Sequence, residues 1–203
     1  MKLKKIICIT GADGTGKSTL IKKLSKEFPD AYVATIWDLF SASENTSLFK
    51  SKTDIDNYIC SLTPNSRTLF LMHALKFSVD KALSGNFDLI ILDSYYYKYL
   101  SSELALGADK ELVKNLIEIF PEPDLTVELS LSVEKASKRK EKYSRYECGL
   151  SKNATKENFL KFQKKINEKQ FNLTDKKAII INSELSSEEV FYKAKKLIYA
   201  KIR

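Results

Sequence analysis

Arginine is scarce in this chain. Of 34 basic residues among 203, only Arg67, Arg139, Arg145 and Arg203 are arginine, and the other thirty are lysine. The net charge of +8 is therefore a weak nucleic-acid signal, because lysine is the ordinary solubilising cation and arginine the usual forked grip on phosphate. No nucleic-acid partner is expected. Three cysteines at unrelated spacings, Cys8, Cys60 and Cys148, argue against a disulfide framework, and a lone histidine, His73, argues against a zinc cluster. No apolar run approaches the ~18 residues of a membrane span. The apolar stretch 6–9 behind the lysine-rich start is shorter than the roughly 7–15 residues of a signal core, so the chain reads as soluble, cytoplasmic and without a membrane partner. Four prolines and six glycines leave little for linkers, and 43% hydrophobic with 30% charged residues is a globular composition. The length predicts one domain over 1–203.

What is present is an alternation of short apolar runs with longer amphipathic ones, the pattern of βαβ units and a parallel sheet. Strands are predicted at 3–10, 31–36, 87–92, 124–131 and 178–181; the first is apolar without alternation, as a strand buried on both faces is. Helices are predicted at 18–28, 64–83, 95–120 in two pieces, 132–140 and 155–172. A last helix opens on a capping box, Ser186 with Glu189, and Val190, Ala194 and Leu197 line one face of it. The fold class is α/β: a five-stranded parallel sheet flanked by helices on both faces. The segments 37–52 and 143–153, polar and without periodicity, read as loops over a site.

Gly11-Ala12-Asp13-Gly14-Thr15-Gly16-Lys17-Ser18 matches G-x-x-x-x-G-K-[ST] between a predicted strand and a predicted helix. Glycines at 11, 14 and 16 let successive N–H groups, with that of Thr15, turn inward around a phosphate, and the helix through Ser18 and Thr19 adds its dipole. Lys17 reaches the β/γ-phosphates, and Ser18 is placed to hold Mg²⁺. The run 87–93 is a buried strand ending in Asp93, a carboxylate at the sheet edge where ligands bind, suited to a metal or to the phosphoryl acceptor. The predicted cofactors are ATP and Mg²⁺, and the predicted partners are nucleotide substrates. Residues 135–152 hold seven basic residues and two acids. Arg139 and Arg145 among them suit a basic lid over about 140–153 that stabilises the transferring phosphoryl.

Together these motifs resemble the thymidylate kinase family of P-loop kinases. Asp13 matches the family's acid that bonds the acceptor sugar, and Asp93-Ser94-Tyr95 resembles its Asp-Arg-Tyr. Pro123-Asp124-Leu125-Thr126 resembles its Pro-Asp-Leu-Thr, and Ser144-Arg145-Tyr146-Glu147 its lid motif Asp-Arg-x-Glu. The resemblance implies that Phe70 stacks on the acceptor base, that Tyr95 sits in the acceptor pocket, and that the protein forms a homodimer. It also implies a lid that supplies the cation, since glycine rather than arginine follows Asp13.

The chain departs from that pattern where the family clamps the acceptor phosphate with arginine, for here stand Trp37, Ala74 and Ser94. Arg67, Lys76 and Lys98 are the nearby candidates to replace them. The expected function is ATP-dependent phosphorylation of a nucleoside monophosphate (dTMP and ATP to dTDP and ADP, or a related acceptor). The alternatives are a kinase of an unphosphorylated nucleoside or other small molecule, or a catalytically silent nucleotide-binding protein.

Overall fold

The computed structural model describes residues 4–41, 49, 51–168, 171, 173 and 177–202. Its sheet has five parallel strands in the order β2-β3-β1-β4-β5. They are β1 (Lys5–Gly11), β2 (Tyr32–Ala34), β3 (Leu89–Asp93), β4 (Leu125–Ser130) and β5 (Ile179–Asn182). The central strand β1 is the uninterrupted apolar run of the sequence, and its two faces bury separate cores. Ile6 and Cys8 join Ile90, Leu92 and the helices on one side; Ile7 and Ile9 join Ile91, Val127 and Leu129 on the other. Each such fully buried aliphatic side chain contributes about 1.5–3 kcal/mol.

The helices α1 (Lys17–Glu27) and α9 (Ser187–Ile202) cover the second core, while α4 (Pro64–Ser84), α5 (Tyr96–Ala105) and α6 (Lys110–Ile117) cover the first. The expected stretch 95–120 does fall into two helices, broken around Gly107 at φ 93. The capping box of α9 forms in both directions: Glu189 N donates to Ser186 Oγ at 3.2 Å, and Ser186 N donates to Glu189 Oε2 at 2.9 Å. Its buried face is Val190, Ala194 and Ile198, with Leu197 only half-buried beside it.

One expectation needs correction. The segment 37–52 is not all loop: Asp38–Ser41 forms the short helix α2, and Lys52 opens a ten-residue helix, α3 (Lys52–Ser61). Residues 42–48 and 50 of that segment lie outside the described residues, as do Leu3 of the first strand and 169–170 and 172 of the helix expected to end at 172. That helix, α8 (Lys156–Ile166), starts where Thr155 Oγ1 accepts from Asn158 N. Between the short α7 (Val133–Lys138) and α8 runs the segment expected as a lid, with one 3-10 turn at Tyr146–Cys148. Among the described residues no helix is long and apolar enough to cross a membrane.

Candidate active site

The strand order brings the carboxyl ends of β1 and β3 side by side, with Ile9 in register with Asp93. The loop 11–16 leaves β1 at that edge and wraps into α1. Its shape excludes side chains at two glycines: a Cβ on Gly11 would sit 2.5 Å from Leu129 O, and one on Gly14, at φ 85, 2.6 Å from Ala136 O. Thr15 Oγ1 and Lys17 Nζ each donate to Ala12 O at 2.8 Å, so the lysine folds back over its own loop.

A cavity of about 730 Å³ opens above this loop, within the range that binds small molecules. Gly14 to Thr19 form its floor. One wall carries Arg139, Ser183, Leu185 and Val190; the other carries Trp37, Lys52, Asp56, Leu71, Lys98 and Tyr99, with Asp93 and Ser94 at the sheet edge. Lys98 Nζ lies 2.5 Å from Asp13 Oδ1, and Lys17 Nζ lies 3.8 Å from the same oxygen. Lys52 Nζ sits 4.8 Å from the centroid of the Trp37 ring.

These charges tune one another. Burial opposes ionisation of Asp13, but Lys98 and Lys17 outweigh it and hold the carboxyl well below the usual range. Burial and the neighbouring Lys98 lower Lys17 to about 8, against the pull of Asp13 and Asp93. Burial raises Asp93, only partly offset by Lys98 and Lys17. Asp93 and Ser18 line the same cavity, and a carboxylate with a hydroxyl is an oxygen pair that fits a divalent cation. Among the described residues no three His, Cys, Asp or Glu side chains gather as a metal cage.

The expected donor-side residues, Asp13 to Thr19, Asp93 and Arg139, meet at this cavity, with Gly11 beneath the loop. Arg139 Nη2 donates to Ser183 O at 2.8 Å, which sets it beside the wall of Ser183 and Val190. Of the expected acceptor residues, Asp13 and Lys98 are there and three are elsewhere. Tyr95 is wholly buried in the core, its hydroxyl donating to Pro121 O at 2.7 Å; it precedes α5 with extended backbone, and Tyr99, one turn on, takes the cavity position. Arg67 is also wholly buried, with Nε donating to both carboxylate oxygens of Glu103 at 2.9 and 3.0 Å. Phe70 packs among Tyr58, Phe40 and Phe49, centroids 5.1 to 6.3 Å away, and its neighbour Leu71 lines the cavity.

The lid also rearranges the expectation. Arg145 does not line the cavity: its backbone N–H donates to Asp56 Oδ2 at 3.0 Å, its charge lies near Cys60 of α3, and its Nε is buried without a hydrogen-bond partner. The lid cation that lines the cavity near the loop is Lys140, whose Nζ is 2.8 Å from Glu147 Oε1. Sequence reasoning counted Lys140 only as one of seven basic residues. Its signal was the acid seven residues on, which gives the lysine a fixed place.

The chain is similar to known proteins over most of its length. The family model for thymidylate kinase matches residues 9–194. A probable thymidylate kinase 1 from Saccharolobus solfataricus is 30% identical over 177 residues, 81% of this chain and 86% of the relative. A probable thymidylate kinase from Sulfolobus acidocaldarius is 26% identical over 96% of both chains. Among solved structures, the thymidylate kinase of Candida albicans superposes with a TM-score of 0.68 at 20% identity, covering 98% of this chain and 92% of that one. A deoxyadenosine kinase from M. mycoides superposes at 0.60 and 17% identity, covering 96% of this chain and 99% of that one.

Proposed function

The chain belongs to the thymidylate kinase family, and from that premise we propose that it transfers the γ-phosphoryl group of ATP to a nucleoside monophosphate such as dTMP. Its single domain holds both substrates in the one cavity, under the lid over about 140–153. The observation that carries the reading is Lys98. It faces the phosphate loop from the opposite wall, beside Asp13, in a cavity where Trp37 and Ser94 stand in place of acceptor-side arginines.

Lys17 and the loop amides bind the donor phosphates, and Lys140 brings the lid's charge onto the transferring group. Lys98 and Lys52 hold the acceptor phosphate, exchanging Asp13 and the Trp37 ring for it. Asp13 is then released to accept from the acceptor's sugar. Arg139 borders the donor base. Ser18 and Asp93 would hold Mg²⁺, which when bound neutralises charge on the β and γ oxygens. Attack by a phosphate oxygen needs positioning and charge stabilisation more than a base, which fits a site without histidine.

An ADP-release assay across nucleoside monophosphates tests this, with thymidine beside dTMP. Turnover is expected on a monophosphate; faster turnover on thymidine would favour the unphosphorylated acceptor that the missing arginines also fit. Lys98→Ala is expected to raise KM for the monophosphate about tenfold or more while leaving KM for ATP nearly unchanged, since one charge-assisted bond contributes about 1.5–3 kcal/mol.

The low Lys17 value sets a pH signature. At pH 8 about half of the unliganded molecules carry neutral Lys17, and a polyphosphate favours the ammonium form. Nucleotide binding therefore takes up about half a proton at pH 8 and almost none near pH 6.5. Calorimetry in buffers of different ionisation enthalpy reads this directly; proton release at pH 8 would contradict it.

A further inference from the structure

Helix α3, absent from the sequence expectation, does more than line the acceptor wall. Its face of Lys52, Ile55, Asp56 and Ile59 looks into the cavity, the i, i+3, i+4, i+7 spacing of one helical stripe. From that stripe the Asp56 carboxylate reaches the lid. Arg145 N donates to Asp56 Oδ2 at 3.0 Å and Tyr146 N donates to Asp56 Oδ1 at 3.2 Å. Both oxygens are thus used on consecutive backbone amides at the start of the lid's 3-10 turn. The next residue is Glu147. Its carboxylate accepts from Ser144 N at 3.0 Å and holds Lys140 Nζ at 2.8 Å. A second tie runs through the side chain of Tyr146, whose hydroxyl donates to Glu103 Oε1 at 2.9 Å, the carboxylate held by Arg67.

We propose that Asp56 is a positioning residue for phosphoryl transfer: it fastens the lid turn to the acceptor-side helix, so that Glu147 presents Lys140 to the phosphate loop and lid and acceptor wall move as one body. The path has three short links, Asp56 to the turn amides, the turn to Glu147, and Glu147 to Lys140. The start of the lid is bonded to α7 on the loop side, Tyr143 Oη donating to Ser137 O at 2.9 Å, whereas the turn that carries Glu147 is bonded to α3. That turn follows the helix that the acceptor touches, so the acceptor organises the part of the lid that holds Lys140, and an empty acceptor site leaves Lys140 on its own carboxylate. The inference rests on the kinase reading above for its chemistry, and on the hydrogen bonds alone for the tie.

The test uses the full chain with Asp56→Ala and Asp56→Asn, two readouts and one control. Hydrogen exchange at the Arg145 and Tyr146 amides is expected to quicken about tenfold or more in Asp56→Ala and less in Asp56→Asn, whose single amide oxygen serves one N–H. Steady-state kinetics is expected to show kcat down about ten- to a hundredfold, the scale of a misplaced catalytic group, with the Kd for a non-hydrolysable ATP analogue within about twofold of wild type. Unchanged exchange and unchanged kcat would overturn the proposal. So would an equal loss of kcat and of ATP-analogue affinity with a lowered melting temperature, which marks a general structural defect. If wild type turns over no monophosphate, the kinase reading falls, while the exchange experiment still decides whether Asp56 ties down the lid.

Discussion

Lys17→Ala is expected to lower kcat by about 10²–10³-fold or more while leaving the unliganded chain at least as stable as wild type. The activity side follows from charge. The transferring phosphoryl spreads negative charge over its oxygens, and removing one preorganised donor to such a group costs about 2.7–4 kcal/mol of transition-state stabilisation. The stability side follows from the same site in its empty state. Lys17 is almost fully buried, 7% exposed, and burial together with Lys98 drives it to about 8. A folded state that lowers a lysine's pKa disfavours its charged form. That penalty is present below about pH 8 and is relieved as pH rises toward the unfolded value of 10.5, on the order of 3 kcal/mol at neutral pH. Alanine removes the penalty along with one hydrogen bond to Ala12 O. Rapid-quench kinetics and a thermal melt on the same preparation check both halves; a large drop in melting temperature would show that the lysine holds the loop together instead.

Arg67→Ala is expected to have the largest effect on stability. Glu103 has no exposed surface, and its partners are Arg67 Nε, the Tyr146 hydroxyl and, at 3.4 Å, Thr68 Oγ1. Removing the guanidinium leaves a buried carboxylate without its counter-charge, a change of about 3–5 kcal/mol. In a chain of this size that lowers the melting temperature by roughly 6–20 °C. The double replacement Arg67→Met with Glu103→Leu is expected to recover much of the loss, because a buried ion pair and a well-packed apolar pair differ little in net stability. Thermal unfolding of the single and double variants decides it. A stable Arg67→Ala protein with a raised KM for the monophosphate would return Arg67 to the acceptor role that its sequence position suggests.

That contrast shows where the sequence was legible. The phosphate loop is local: eight consecutive residues carry the glycines, the lysine and the serine, and strand and helix flank them, so its place at the sheet edge could be read directly. Asp93 was legible for the same reason, as the end of an apolar run. Arg67 was not, because the partner that buries it lies 36 positions away on α5 and nothing near residue 67 announces Glu103. Tyr95 and Tyr99 differ only in phase, and one extended residue before α5 decides which ring meets the cavity. Helix α3 escaped because its apolar face rests on Ile55 and Ile59, too few to set a period, although Ser51 accepting from Asp54 N at 3.1 Å is an ordinary cap signal. In the lid, residue type misled: arginine is the better phosphate ligand, yet the backbone turns Arg145 toward α3 and leaves Lys140 over the loop.

The contact between Gly14 and Ala136 bears on how such a site can change over evolutionary time. A glycine codon becomes an arginine codon by one base change, so a loop arginine next to Asp13 lies a single mutation away. In this protein that mutation would press a new Cβ against the Ala136 carbonyl at 2.6 Å, on the helix from which the lid departs. The loop could gain a cation only by displacing the element that carries Arg139 and Lys140 to the cavity. Two sources of positive charge thus compete for one space, and a lineage that placed its cation in the lid is held to that choice by backbone packing.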